Sequence, residues 1–146
     1  MRVLGIDYGD RNIGLALSDV LRFTAQPLDT YRLTGRDDED RTYFKDLVLK
    51  HAISEIVVGL PLRMDGTAGS RVEKTRGFAK WIGKAASIPV VFWDERLTTH
   101  QALNVMHEQK VGLKAKKSVI NQISAAIILQ AYLDSRRSDA NVPQDR

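Results

Sequence analysis

Two acidic residues of the 146-residue chain stand where apolar, strand-like runs end. Asp7 lies near the end of the run Arg2–Tyr8, and Glu95 follows the run Pro89–Trp93 and Asp94. Open α/β sheets bind ligands beyond the carboxyl ends of their strands. Convergent carboxylate oxygens are the ligands that hard divalent cations prefer. The pattern therefore indicates a candidate divalent-metal site, in which each buried carboxylate would gain the partner it needs.

Purely structural roles stay open for the same two residues. Asp7 could cap the polar turn Gly9–Asn12, which separates two apolar runs. Asp94 and Glu95 could be ordinary loop acids, with Arg96 forming a solvated ion pair to one of them. The residue types alone do not separate these roles from metal binding.

Composition excludes several other kinds of site. The chain has no cysteine, which rules out a disulfide framework, a thiolate nucleophile and a cysteine zinc site. It has only 3 histidines, His51, His100 and His107, so a histidine-rich metal site is not expected. No run approaches the roughly 18 apolar residues of a transmembrane helix, and the N-terminus does not resemble a signal peptide. We expect a soluble cytoplasmic protein, and the net charge of +4 is compatible with nucleic-acid binding without establishing it.

The elements that position the two acids follow from hydrophobic periodicity, turn residues and helix-start signals. The predicted strands are Arg2–Tyr8, Ile13–Ser18, Thr24–Leu33, Glu55–Leu60 and Pro89–Trp93. Helices are predicted from the acidic run Asp37–Asp40, from a capping box at Ser70–Glu73 to Ala86, from Thr98 to Gln109, and from Ser118 to Ser135.

This order predicts an α/β fold with one mixed sheet flanked by helices. The first three strands form an antiparallel meander, and the following strands and helices form a βαβ half. Pro27 places the third strand at an edge or a bulge. One domain is expected over residues 1–136, followed by a flexible polar tail over residues 137–146.

Six short motifs carry a resemblance to a known family. GIDYG, IGLALS, IVVGLP, MDGT, WDERLTT and AAIILQAYLD occur in that order over about Met1–Ser135. The GxDxG element is weak by itself, whereas the ordered set with WDERLTT is specific. The chain thus resembles the YqgF/RuvX family, described as Holliday junction resolvases and as nucleases that mature the 5′ end of pre-16S rRNA.

The resemblance implies a ribonuclease H-like fold, with a five-stranded mixed sheet whose first three strands are antiparallel. It also implies a metal-dependent phosphodiesterase. Carboxylates from the first strand, the fourth strand and the last helix of that fold hold one or two Mg²⁺ or Mn²⁺ ions, which activate water and stabilise the leaving 3′ oxygen. Asp7 matches the first-strand aspartate, and Glu95 matches the glutamate of the DER motif.

The third metal-binding position departs from the family pattern. The family has an aspartate just before the AAxxIL stretch, and Asn121 stands there in this chain. An asparagine offers a carbonyl oxygen without a charge, so metal affinity should drop. Three explanations stay open: a weak ligand in an active enzyme, a homologue that binds but barely cleaves, and an Asp→Asn change introduced to trap an inactive protein. A helix-capping role near Ser118 is the structural alternative.

Basic residues near the predicted site form two groups that could contact phosphates. The first group surrounds the loop after IVVGL and the next helix, and it consists of Arg63, Arg71, Lys74 and Arg76. The second group precedes the last helix, and it consists of Lys110, Lys114, Lys116 and Lys117. Solvated lysine-rich loops are the alternative. No aromatic stacking surface is expected, because Trp81 and Trp93 lie in elements predicted to be buried.

The function indicated is a Mg²⁺- or Mn²⁺-dependent nuclease acting on structured nucleic acid. The expected partners are RNA (pre-16S rRNA), branched DNA or both, without a membrane, and the protein is a monomer or a homodimer. A nucleic-acid-binding member weakened by Asn121 is the alternative. Sugar kinases and actin-like ATPases share the first hairpin, but they need two such domains.

Overall fold

The computed structural model describes residues 1–63, 65–98 and 117–141. The strands are β1 (Arg2–Tyr8), β2 (Asn12–Ser18), β3 (Ala25–Arg32), β4 (Ile53–Leu60) and β5 (Val90–Asp94). The helices are α1 (Asp37–His51), α2 (Ser70–Ala86) and α3 (Lys117–Asn141), and Glu95–Leu97 forms a 3₁₀ turn directly after β5. Among these described elements, no helix is both long and apolar enough to cross a membrane.

The strands form one mixed five-stranded sheet in the order β3-β2-β1-β4-β5. Strands β1, β2 and β3 pair antiparallel, whereas β4 pairs parallel with both β1 and β5. This is the predicted meander followed by a βαβ half. Strand β3 lies at the sheet edge, and its pairing with β2 shifts register beside Pro27, which lacks a backbone donor.

Alternation along the strands divides the core into two layers. Leu4, Ile6 and Ile56 belong to the layer that includes α1 and α2 residues such as Phe44 and Ile82. The opposite layer is formed against α3, and its buried members are Val3, Ala16, Val57, Ala125, Ile128, Leu129, Tyr132 and Leu133. Since Asp7 follows Val3 and Gly5 in the alternation, its side chain is on the α3 face.

Three sequence predictions need correction. Ser70 does not cap α2, because Gly69 is the N-cap residue and makes no side-chain capping bond. The carboxylate expected from the fourth strand comes instead from the turn after β5, where Glu95 lies. Helix α3 continues to Asn141, beyond the predicted end at Ser135, into the segment predicted as a tail. The predicted helix from Thr98 to Gln109 lies beyond the described residues apart from Thr98 itself, the C-cap residue of the 3₁₀ turn.

Glycines let α3 approach the sheet closely. A Cβ atom at Gly14 would overlap the backbone carbonyl of Asn121 and lie 3.0 Å from the Asn121 Cβ. At Gly5 it would lie 2.7 Å from the Cβ of Leu129. Both distances are shorter than ordinary van der Waals contact, so any larger residue would push α3 outward. The position of Asn121 therefore depends on Gly14.

We expect Gly14→Ala to destabilise the fold by about 3 kcal/mol, since the added methyl group overpacks a backbone contact. That loss corresponds to a decrease in Tm of roughly 10 °C for a domain of this size. Gly77→Ala is the matched control, because a Cβ at Gly77 meets nothing within 4 Å. Alanine in the interior of α2 should leave Tm unchanged or raise it. Equal melting temperatures for the Gly14→Ala variant and the unmodified protein would contradict the close approach.

Candidate functional site

Asp7 lies on β1 between two glycines of the neighbouring strands. Gly14 of β2 is its direct antiparallel partner. Gly59 of β4 follows Val58, the parallel partner of Ile6, so it is level with Asp7 on the other side. Neither glycine has a side chain, so both leave room beside the Asp7 carboxylate for groups from other elements.

The space above Gly59 is occupied by Glu95. A Cβ atom at Gly59 would lie 3.2 Å from both Cγ and Cδ of Glu95. Glu95 reaches this position because β5 ends at Asp94, whose side chain accepts a bond from the Arg96 backbone N–H at 2.9 Å and starts the 3₁₀ turn. The Glu95 side chain therefore returns over β4 toward Asp7.

The space above Gly14 is occupied by Asn121, in the first turns of α3. Side chains of directly paired residues on one face have Cβ atoms about 4.5–5.5 Å apart. The backbone and Cβ of Asn121 thus lie over Gly14, the strand partner of Asp7, while Glu95 lies over Gly59 on the other side. The structure thus brings together the three residues predicted as catalytic and metal-ligating positions, Asp7, Glu95 and Asn121, in one row across the sheet.

The electrostatics of the row are those of crowded carboxylates. Burial raises the pKa of Asp7 to about 6, while the positive charge of Arg71 opposes this shift. Burial also raises the pKa of Glu95 to about 7, and the negative charge of Asp7 adds to the increase. The two carboxylates therefore lie close enough to repel each other, and Arg71 acts on both.

Arg71, in the first turn of α2, is the basic residue most directly placed at this row. Its guanidinium donates a hydrogen bond to the Tyr8 carbonyl oxygen at 3.3 Å. One helical turn later, the ammonium of Lys74 lies 4.0 Å from a carboxylate oxygen of Asp10. The sequence predicted Arg71 only as one of four cations near the site that could contact phosphates, and the fold places it beside both carboxylates.

The other predicted nucleic-acid-binding residues are less closely tied to the row. Arg63 is exposed and its guanidinium lies near Gly69, ahead of α2. Arg76 pairs with Glu73 at 3.3 Å on the exposed side of α2. Lys110, Lys114 and Lys116 lie outside the described residues, and Lys117 is described only as the first residue of α3.

The donor set fits a divalent cation. Two carboxylates in a partly dehydrated position favour an oxygen-ligating cation, whose charge would offset their mutual repulsion. The amide oxygen of Asn121 could add a neutral ligand. Among the described residues, no group of three or more His, Cys, Asp or Glu side chains is arranged to hold a metal, since the third residue of the row is an amide.

Comparison with known proteins assigns the chain to a family. The sequence model of RuvX, described as Holliday junction resolvase, matches residues 1–135. This protein belongs to the RuvX family. A relative from Halothermothrix orenii is 46% identical over 134 residues, covering 92% of this chain and 95% of its own length. A relative from Clostridium acetobutylicum is 44% identical over 135 residues, covering 92% of this chain and 99% of its own length. Both are provisionally named pre-16S rRNA nuclease.

Solved structures establish the ribonuclease H-like fold of this RuvX protein. Thermus thermophilus RuvC in complex with a Holliday junction substrate has a TM-score of 0.63 at 19% identity, covering 94% of this chain and 96% of RuvC. A second Thermus thermophilus RuvC structure has a TM-score of 0.57 at 14% identity, covering 94% of this chain and 97% of RuvC. At these identities the likeness concerns the fold, which agrees with the α/β class and five-stranded sheet predicted from the sequence.

The buried carboxylates of this RuvX protein predict a specific pH dependence of stability. The folded-state pKa of Asp7, about 6, exceeds the unfolded value of about 3.9. The folded state therefore binds more protons, so this group stabilises it at low pH and loses that contribution as pH rises through about 6. In a metal chelator, Asp7→Asn should raise stability more at pH 8 than at pH 5, by about 1.4 kcal/mol.

Thermal melts at the two pH values measure this difference. Asp10→Asn removes the same charge from the exposed turn after β1. Its melting temperature should equal that of the unmodified protein at both pH values. An Asp7→Asn stabilisation of equal size at pH 5 and pH 8 would mean that Asp7 is not a dehydrated carboxylate.

Proposed function

We propose that this protein is a Mg²⁺- or Mn²⁺-dependent nuclease that processes the 5′ end of pre-16S rRNA. The names carried by relatives at 46% and 44% identity support this substrate, as do the matched lengths, which cover nearly all of both chains. Hydrolysis of branched DNA is the related activity described for the family. If the substrate is a ribosomal RNA precursor, we expect the activity to be cytoplasmic.

The observation that carries the proposal is the row Asn121, Asp7, Glu95 across the carboxyl ends of the central strands. Three separate elements contribute to it, namely α3, β1 and the turn after β5. Gly14 and Gly59 clear the space in which the outer two residues approach the central one. A purely structural Asp7 would not need a second carboxylate held beside it.

We assign metal ligation to Asp7, Glu95 and Asn121, with the charge supplied by the two carboxylates. A bound divalent ion at such a site lowers the pKa of water for attack on phosphorus and stabilises the leaving oxygen. Asp7 and Glu95 lie in a partly dehydrated position, where burial raises both pKa values and the charge of a bound cation would favour the ionised carboxylates. Asn121, whose Cβ lies over Gly14, would add an amide oxygen and no charge.

The basic residues bind and orient the phosphodiester backbone. Arg71 provides a positive charge beside Asp7 and Glu95, where it can hold a phosphate whose charge the carboxylates alone would repel. Arg63, Lys74 and Arg76 extend positive charge along α2 and the loop before it, and Lys110, Lys114, Lys116 and Lys117 precede or begin α3. Such contacts give affinity that depends on salt and little on sequence.

A cleavage assay with two substrates tests the proposal. A 16S rRNA precursor with a 5′ extension and a four-way DNA junction are incubated with the protein in Mg²⁺, Mn²⁺ or a chelator. We expect the extension to be removed in either metal, without cleavage in the chelator. Cleavage of the junction alone would overturn the RNA assignment, and no cleavage of either substrate would overturn nuclease activity.

A second candidate function is nucleic-acid binding without useful hydrolysis. Asn121 favours it, because the row carries two carboxylates rather than three charged ligands. In that case the protein binds structured RNA in the same assay without cutting it, and restoring the third charge has no effect on the RNA.

A further inference from the structure

A second concavity lies on the opposite face of the sheet from the carboxylate row. It has a volume of about 390 Å³ and is lined chiefly by side chains of β1, α1 and α2. Volumes of about 300–1,000 Å³ are typical of small-molecule pockets. The aromatic part of its wall consists of Tyr8, Phe78 and Trp81.

These three aromatic residues form one continuous surface. The rings of Tyr8 and Phe78 are stacked with centroids 4.7 Å apart, and those of Phe78 and Trp81 are 5.8 Å apart. Phe78 is buried, whereas Tyr8 and Trp81 are both partly exposed. Trp81, which the sequence predicted to be buried, packs against the core but is partly exposed at this pocket.

The polar groups of the pocket are arranged asymmetrically. Lys74 provides a cation near the end of the wall occupied by Tyr8. Asp37 and Asp40 lie in the first turn of α1. One oxygen of Asp37 accepts the indole N–H of Trp81 at 2.7 Å, which fixes the ring in the wall. Both carboxylates are already hydrogen-bonded within the protein, so the pocket offers a ligand mainly a flat aromatic face and the cation of Lys74.

Neighbouring residues of α2 and β1 line the pocket and border the carboxylate row. Lys74 follows Arg71 by three residues, so the two cations lie on one side of the helix within about one 5.4 Å turn. Arg71 contacts the Tyr8 carbonyl oxygen, and Tyr8 directly follows Asp7. A nucleic-acid strand bound at Arg71 therefore meets the aromatic wall next.

Gly77 keeps the pocket open. It lies inside α2 and lines the concavity, and a Cβ atom there would meet nothing within 4 Å. Glycine in a helix interior costs about 1 kcal/mol relative to alanine. The helix thus lacks a side chain at this position of its pocket-facing surface.

We propose that this pocket binds one unpaired nucleobase of the substrate strand, stacked on Tyr8 and Trp81, with Lys74 contacting the adjoining phosphate. The proposal rests on the proposed function, because the nucleic-acid substrate of the nuclease must already lie at Arg71. Stacking of a base on an aromatic side chain contributes about 1–3 kcal/mol and tolerates every base. The pocket therefore favours substrates with a single-stranded segment beside the cleaved bond, whatever its sequence.

Binding of short fluorescent oligonucleotides in a metal chelator tests this subsite without hydrolysis. The substitution Gly77→Leu fills the pocket without removing a charge or a core residue, and Gly77→Ala is the control that leaves most of it empty. We expect Gly77→Leu to weaken binding of a single-stranded RNA about 10-fold or more. A fully paired duplex of equal length should bind the unmodified protein and both variants alike, because it has no base to insert.

An RNA with one abasic position identifies the base as the occupant. The loss of affinity caused by Gly77→Leu should disappear when the abasic position falls at the subsite. Identical single-strand affinities for the unmodified protein and the Gly77→Leu variant would overturn the subsite, even if precursor cleavage proceeds. Failure of the unmodified protein to bind or cleave any RNA would instead overturn the proposed function, and the subsite with it.

Discussion

Replacing Asp7 by asparagine is expected to abolish phosphodiester cleavage while the fold persists. Asp7 is the central residue of the row, so its loss removes one of two negative charges that face the same space. We expect kcat to fall on the order of 10³-fold, equivalent to about 4 kcal/mol of transition-state stabilisation. Precursor cleavage in saturating Mn²⁺ gives the rate, and calorimetric titration of Mn²⁺ gives the loss of metal affinity.

Asp10→Asn is the matched control for this substitution. Asp10 is an acid three residues further along the same hairpin, exposed and only 4.0 Å from the Lys74 ammonium. Exposed ion pairs of this kind contribute about 0–1 kcal/mol, so its rate should stay within severalfold of the unmodified protein. An active Asp7→Asn variant with normal Mn²⁺ affinity would remove Asp7 from the site.

Replacing Asn121 by aspartate is expected to have the largest effect in the opposite direction. The substitution keeps the shape of the side chain above Gly14 and adds a third negative charge beside Asp7 and Glu95. We expect at least about a 10-fold gain in Mn²⁺ affinity, equivalent to about 1.4 kcal/mol, with faster cleavage at limiting metal. In a chelator at pH 8 the same variant should melt at a lower temperature, since three carboxylates then repel one another.

Gln122→Glu separates position from charge. It adds one negative charge to the next residue of α3, with the same favourable effect of the helix N-terminus on an acid. Its Mn²⁺ affinity should match that of the unmodified protein. Equal gains from both substitutions would show that Asn121 has no special place at the site. A gain in metal affinity without any cleavage would favour the binding function over the nuclease.

The fold was predictable because its signals are local and repeated. The alternation in β1 and β2, the acidic run that begins α1 and the buried strand β4 each indicate one element. The ordered motifs indicated the family, and the family pattern pointed to Asp7, Glu95 and the unusual Asn121 as site residues. These three residues come together because of the order of the strands in the sheet. Hydrophobic periodicity does not reveal that order, and the structure shows it.

What the sequence did not reveal depends on contacts between distant segments. Gly14 and Gly59 have no local signature that distinguishes them from turn glycines, although they clear the space for Asn121 and Glu95. Ser70 has the composition of a helix cap, but the chain enters α2 with Gly69 in that position. Trp81 looks like a core residue by spacing, whereas its bond to Asp37 holds it at a pocket wall.

Metal-dependent cleavage that requires Glu95 is tested most directly by comparing the unmodified protein with the Glu95→Gln variant. The measurement is precursor cleavage in Mg²⁺, in Mn²⁺ and in a chelator. Glutamine keeps the shape of the side chain above Gly59 and removes its charge. We expect removal of the 5′ extension in Mg²⁺ or Mn²⁺, no cleavage in a chelator, and no cleavage by the variant in either metal. Cleavage that persists in the chelator, or that proceeds at an unchanged rate in the Glu95→Gln variant, would contradict that expectation.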